Sequence, residues 1–129
     1  MIDHVDHIVL TTRDLAGCIR FYTEVLGMKL EKFHTPTEER LALKFGSQKI
    51  NLHEKGGEFE PKATLAAPGT LDLCFIAAVP LDEVVKRLQA KNVPILDGPV
   101  MKTGALSRLS SVYVRDPDLN LVEISELAP

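Results

Sequence analysis

The apolar pattern of this chain is written twice, and that repetition limits the possible folds more than any other feature. In the first half, residues 5–10 read as a strand. Asp14 follows as a helix N-cap, ahead of Leu15, Cys18, Ile19, Tyr22, Val25 and Leu26 at the spacing of one helical face. Gly27 stops that helix, and three short strands follow at residues 29–33, 41–45 and 49–54, with Gly46-Ser47 as the turn between the last two. In the second half, residues 71–77 form a strand, and Leu81, Val84, Val85 and Leu88 make a helical stripe that stops near Asn92. Strands follow near 94–96, 111–115 and 121–125, the last two separated by the Asp116-Pro117-Asp118 turn. Residues 56–69, rich in Gly, Pro and charge, read as a linker, and residues 98–110 as a long irregular loop suited to function.

Two copies of β-α-β-β-β imply an internal duplication. The expected fold is α+β: a single domain over residues 1–129, with module one at about 1–55 and module two at about 70–129. Each module makes a small curved sheet with its helix on the convex side. Paired, the two sheets form a cup whose concave face is the site. A net charge of −3, with no basic stretch longer than a pair of residues, argues against a nucleic-acid partner. No apolar run approaches the roughly 20 residues that span a bilayer, and the acidic start is no signal peptide, so a soluble, cytoplasmic protein is expected. Cys18 and Cys74 sit among apolar neighbours and read as two reduced, buried thiols.

Strand parity sorts the remaining side chains. Ile8, Leu10, Ile50, Leu52, Leu73, Phe75, Val122 and Ile124 belong to the helix-facing side. His7, His53, Asp72, Cys74 and Glu123 then face the cup. The duplication sets His7 against Asp72 and His53 against Glu123, at offsets of 65 and 70 residues in the numbering. A lone His or Glu on a strand is usually an ordinary polar residue; their coincidence on one face is what points to chemistry. Two imidazoles and a carboxylate suit Zn²⁺, Ni²⁺, Mn²⁺ or Fe²⁺ and leave coordination positions open for a substrate. His7, His53 and Glu123 are therefore the candidate metal ligands, with Asp72 as a further ligand or an acid/base group. His4 and His34 read as surface residues.

Several stretches resemble the glyoxalase/bleomycin-resistance/dioxygenase (vicinal oxygen chelate) superfamily. They are Asp6-His7-Ile8-Val9-Leu10, Phe21-Tyr22 with Leu26-Gly27, and Asp116-Pro117-Asp118 with Asn120 and Glu123. Asn51-Leu52-His53-Glu54, residues 58–63, Leu71-Asp72-Leu73, Gly98-Pro99-Val100 and Thr103-Gly104-Ala105 are similar to a subgroup of glyoxalase domain-containing proteins and their bacterial, virulence-associated relatives. The resemblance implies a divalent metal in the cup, substrates that chelate through adjacent oxygens, and homodimers in which modules of two chains often build each cup. It also implies that His7, His53 and Glu123 are ligand positions. Asp72 departs from the His that ring-cleaving dioxygenases need there, and Leu119 replaces a Gly common in the turn, with only a small effect expected because Asn120 tolerates unusual dihedrals.

The reading that results is a metal-dependent lyase or isomerase, similar to lactoylglutathione lyase, that removes a proton from a small chelated substrate. Glu123 or Asp72 would be the base. Arg115 would bind an anionic part of the substrate, as would Lys102 and Arg108 from the long loop. A drug- or metabolite-binding protein without catalysis, and a dioxygenase, are the rival expectations.

Overall fold

A computed structural model of the chain describes residues 1–128. The element order is β1 (His7–Thr12), α1 (Leu15–Arg20) running into a π-helical turn (Phe21–Val25), β2 (Lys29–His34), β3 (Glu39–Phe45), β4 (Gln48–Glu54), β5 (Asp72–Ile76), α2 (Leu81–Ala90), β6 (Asp97–Thr103), β7 (Arg108–Arg115) and β8 (Leu121–Leu127). The chain divides into two units, Met1–Thr70 and the remainder from Leu71. Each unit has the β-α-β-β-β order and one four-stranded sheet, β1-β4-β3-β2 in the first and β5-β8-β7-β6 in the second. The first and last strands of each unit run parallel, and the other pairs are antiparallel.

In the first unit the Asp14 carboxylate accepts the Gly17 N–H at 3.0 Å, which caps the start of α1. The helix does not stay α-helical up to Gly27. The Thr23 hydroxyl donates to the Ile19 carbonyl at 2.6 Å, and Leu26 N–H reaches back five residues to the Phe21 carbonyl. Such a local bond competes with regular helix geometry, and the turn widens. Gly27, at φ 80°, then ends the element. Cys18, Tyr22, Leu10, Leu43 and Ile50 are fully buried and make this unit's core.

In the second unit α2 packs on β7 and β8. Leu81, Val84 and Leu88 are buried, as are Val112, Val114, Val122 and Ile124 on the strands. Burying side chains of this size stabilises by about 1.5–3 kcal/mol each. The turn from β7 to β8 is tied by Asp116. Its Oδ1 accepts the N–H groups of Asp118 and Asn120, both at 2.9 Å, and its Oδ2 accepts the Asn120 amide at 2.8 Å. Asn120 Oδ1 in turn accepts Leu71 N–H at 2.9 Å, which ties the turn to the start of β5.

Four expectations are corrected. Residues 98–110 are not a long loop, because β6 and β7 extend through most of them. Pro99 interrupts the apolar alternation there, yet β6 is an edge strand, where a missing N–H costs nothing. Lys102 and Arg108 therefore lie on strands rather than in a loop. Cys18 is buried but Cys74 is exposed, since even-numbered positions of β5 fall on the side away from the core. Finally, Leu119 itself adopts φ 69° in the Asp116 turn, so the left-handed position falls on Leu119 and not on Asn120.

Candidate functional site

Ladder register places the side chains of the second unit. Tyr113 pairs with Glu123, Ser111 with Ser125, Cys74 with Glu123 and Asp72 with Leu121, so all of these share the face opposite Val112, Val122 and Ile124. Glu123 is the centre of a hydroxyl cluster. Its Oε2 accepts from Ser111 at 2.7 Å and from Ser125 at 3.3 Å, and the two serine oxygens lie 2.6 Å apart. Both serines are fully buried. Tyr113 stands directly across the ladder from Glu123. Desolvation, and then the bond to and charge of Glu123, push the Tyr113 phenol up to about 12. Cys74 lies 3.5 Å from the Ser125 hydroxyl. Partial burial of its sulfur raises the thiol pKa, the Ser125 bond opposes that rise, and the Glu123 and Asp72 charges add to it.

This arrangement has a spectroscopic consequence. In a Tyr22→Phe background, ultraviolet titration should find the Tyr113 phenol ionising near pH 12, and closer to an ordinary phenol in Glu123→Gln. The sign follows from the raised value: the protonated phenol is favoured when folded, so stability falls as pH climbs from about 10 toward about 12. An ordinary phenol midpoint in the folded wild-type sheet would disprove the Tyr113–Glu123 contact.

Of the expected anion handles, Arg115 shares the Glu123 face through its pairing with Leu121, and its Nη1 donates to the Leu119 carbonyl at 3.3 Å. Lys102 pairs with Leu109, also on that face, and its Nζ lies 5.6 Å from the Tyr113 ring centroid. Arg108 has the other parity, that of Ser110, Val112 and Val114, which takes it off the face.

In the first unit, His7, Val9 and Thr11 of β1 pair with Lys49, Asn51 and His53 of β4 on one face. His7 Nδ1 lies 2.8 Å from the Asp6 carboxylate. A carboxylate only accepts, so Nδ1 carries a proton; in the neutral ring that leaves the lone pair on Nε2, as in metal-binding histidines oriented by an acid. That bond, ahead of the nearby charges, lowers the Asp6 pKa. His53 is 5% exposed and packs edge-on against Phe59 with centroids 5.4 Å apart. Burial, and then the Arg40 charge, lower its pKa, which keeps the imidazole neutral.

Register also revises the equivalence between the halves. His7 pairs with Lys49, and Asp72 with Leu121. Two residues further along β4 and β8 stand Asn51 and Glu123; four residues further stand His53 and Ser125. The counterpart of Glu123 is thus Asn51, and His53 corresponds to Ser125. His53 also sits four rungs from His7, about 13 Å of strand. With metal–nitrogen bonds of only about 2 Å, that spacing is at the limit for two imidazoles on one ion. Among the described residues, no three His, Cys, Asp or Glu side chains converge within either unit. In kind, the donors still fit a divalent ion. His7 is oriented through Nδ1, Glu123 is an oriented carboxylate, and Asn51 Oδ1 is buried with no hydrogen-bond partner among the described residues.

Sequence reasoning missed Ser111, Tyr113, Asn51, Arg40 and Phe59. Ser111 and Tyr113 were findable, since they alternate with Val112 and Val114 on a strand whose partner carries Glu123. Phe59 lies in an aperiodic segment that gives no such cue.

A double-unit β-α-β-β-β fold with metal-capable groups on its sheet faces defines a class, and residues 4–124 match the Glyoxalase/Bleomycin resistance protein/Dioxygenase superfamily. The chain belongs to that superfamily, whose members commonly use a divalent metal. It is 49% identical over 126 residues to virulence protein STM3117 of Salmonella typhimurium, covering 98% of this chain and 85% of that one. The crystal structure of that protein superposes with a TM-score of 0.94, at 48% identity over 99% of both chains. Glyoxalase domain-containing protein RDO1 of Mycosarcoma maydis is 49% identical over 121 residues, 94% of this chain and 66% of the fungal protein, which is thus the longer of the two. A lactoylglutathione lyase structure from Agrobacterium tumefaciens matches with a TM-score of 0.73 at 25% identity, covering 98% of this chain and 95% of that one. Among the described residues no helix is long and apolar enough to cross a membrane.

Proposed function

We propose that this chain is a metal-dependent lyase or isomerase of the glyoxalase type, acting on a small molecule with adjacent oxygens. The observation that carries the reading is the setting of Glu123, a half-buried carboxylate on the sheet face opposite the core, oriented by Ser111 and Ser125. Partners of this kind hold metal-binding carboxylates in place. His7 and Glu123 would hold the ion, with Asn51 replacing His53 as the other first-unit donor because of its rung. The likeness to lactoylglutathione lyase supports the reaction class. A homodimer belongs to the same proposal.

A bound divalent ion supplies Lewis acidity, which makes a proton beside a carbonyl easier to remove. Asp72 takes that proton on a carboxylate oxygen and can return it to the neighbouring carbon. Asp72 is exposed on the Glu123 face, one rung pair along from it. Glu123 is already engaged by the Ser111 and Ser125 hydroxyls, which leaves Asp72 as the freer carboxylate of this face. Tyr113 stays protonated near neutral pH and can donate to a substrate oxygen. Lys102 and Arg115 stand on the same face for an anionic part of the substrate.

Elemental analysis of protein purified without added metal tests this reading. His7→Ala, Asn51→Ala and Glu123→Ala should each lose affinity for the ion by at least about 10–100-fold, the range seen even for outer partners. His53→Ala should keep it. Unchanged metal content in the first three variants would end the proposal. Loss in His53→Ala with retention in Asn51→Ala would reverse the choice made from register.

A further inference from the structure

We infer that the first unit carries a carboxylate-binding subsite built from Arg40 and His53 beneath Phe59. Two buried nitrogens, Arg40 Nε, which carries a proton, and His53 Nδ1, which carries one in one of the two neutral tautomers, have no hydrogen-bond partner among the described residues. Leaving such groups unpaired is costly, most of all on a guanidinium. Leu41 pairs with Leu52 across β3 and β4, which brings Arg40 beside His53. Both rest on one aromatic ring: the Arg40 guanidinium carbon is 4.4 Å from the Phe59 centroid, and the His53 ring meets that ring edge-on. His53 is more than nine-tenths buried. The guanidinium is fixed on its other side by Arg40 Nη2 donating to Glu38 at 2.8 Å.

The chemistry selects the ligand. Arg40 Nε–H can only donate, and neutral His53 can present Nδ1–H beside it. Two adjacent N–H donors, one of them charged, match the two oxygens of a carboxylate. A dianion such as phosphate fits poorly, because Glu38 already occupies part of the Arg40 charge and Glu58 acts on His53. Access runs past Phe59, which sits in the segment between the two units' strands and in no helix or strand of its own.

The test follows the Arg40 Nε–H and His53 ring resonances by ¹⁵N NMR of the full chain, titrated with propionate, propionamide and inorganic phosphate. Each titration is run before and after metal removal. Saturable shifts at both groups with propionate, in both metal states, are expected, with propionamide and phosphate at least fivefold weaker. Arg40→Lys should weaken propionate at the His53 resonance at least tenfold while the backbone spectrum stays native, and Phe59→Leu should change its affinity without that loss of fold. Absence of a saturable shift, equal response to all three probes, a response only with metal present, or native affinity in folded Arg40→Lys would each overturn the assignment.

Discussion

Asp72→Asn should keep the metal content of the wild type and lose about 10²–10⁴ of its turnover, the usual worth of a general base. Asp72 and Asn have nearly the same shape, but only the carboxylate can accept a proton. Asp72 is exposed at the start of β5, while Glu123 is held by Ser111 and Ser125. Hydroxyl donors of that kind fix the orientation of the Glu123 carboxylate and suit it to holding a cation. The measurement is turnover of hemithioacetals and 2-oxo aldehydes by wild type and variant, beside elemental analysis of both. Normal turnover in Asp72→Asn would transfer the base to Glu123. Lost metal in Asp72→Asn would make Asp72 a ligand.

Asp116→Ala carries the largest expected effect on folding. Asp116 is 2% exposed, and its carboxylate accepts from the backbone N–H groups of Asp118 and Asn120 and from the Asn120 side-chain amide. Alanine leaves those donors buried without an acceptor, at about 1–3 kcal/mol each before relaxation. A net loss of about 3 kcal/mol or more is expected, roughly 10 °C or more in melting temperature for a unit of this size. The damage should spread to the site, because Asn120 also ties Leu71 at the start of β5 and Leu121 begins the strand that carries Glu123. A melting temperature within a degree or two of wild type would show that the turn is held by something other than Asp116.

The order of elements was legible in the sequence because each leaves a local mark. Asp14 caps, Gly27 and Asn92 stop helices, and alternating apolar residues mark strands. The stretch around Gly98 and Pro99 hid β6, since a Pro and a bulge between Asp97 and Val100 break the alternation that would have announced it. Parity correctly put His7, Asp72 and Glu123 on the faces away from the apolar cores. Parity has a period of two, though, so it identifies a face and not a rung. Asn51 and His53 share a face, and only the pairing of Val9 with Asn51 and Thr11 with His53 tells them apart. The placement of Phe59 over Arg40 and His53 depends on a tertiary contact made by an irregular segment, which no periodicity encodes.

The most direct test of a metal-dependent proton abstraction is isotope exchange. Hemithioacetal and 2-oxo aldehyde substrates are incubated with the chain in heavy water, and deuterium at the carbon beside the carbonyl is followed by proton NMR. Three states are compared: as purified, after chelation and dialysis, and after restoring a divalent ion. The account predicts exchange or product formation in the first state, loss in the second and recovery in the third, with Asp72→Asn silent in all three. Exchange that persists undiminished in the chelated wild type, or in Asp72→Asn, would contradict it.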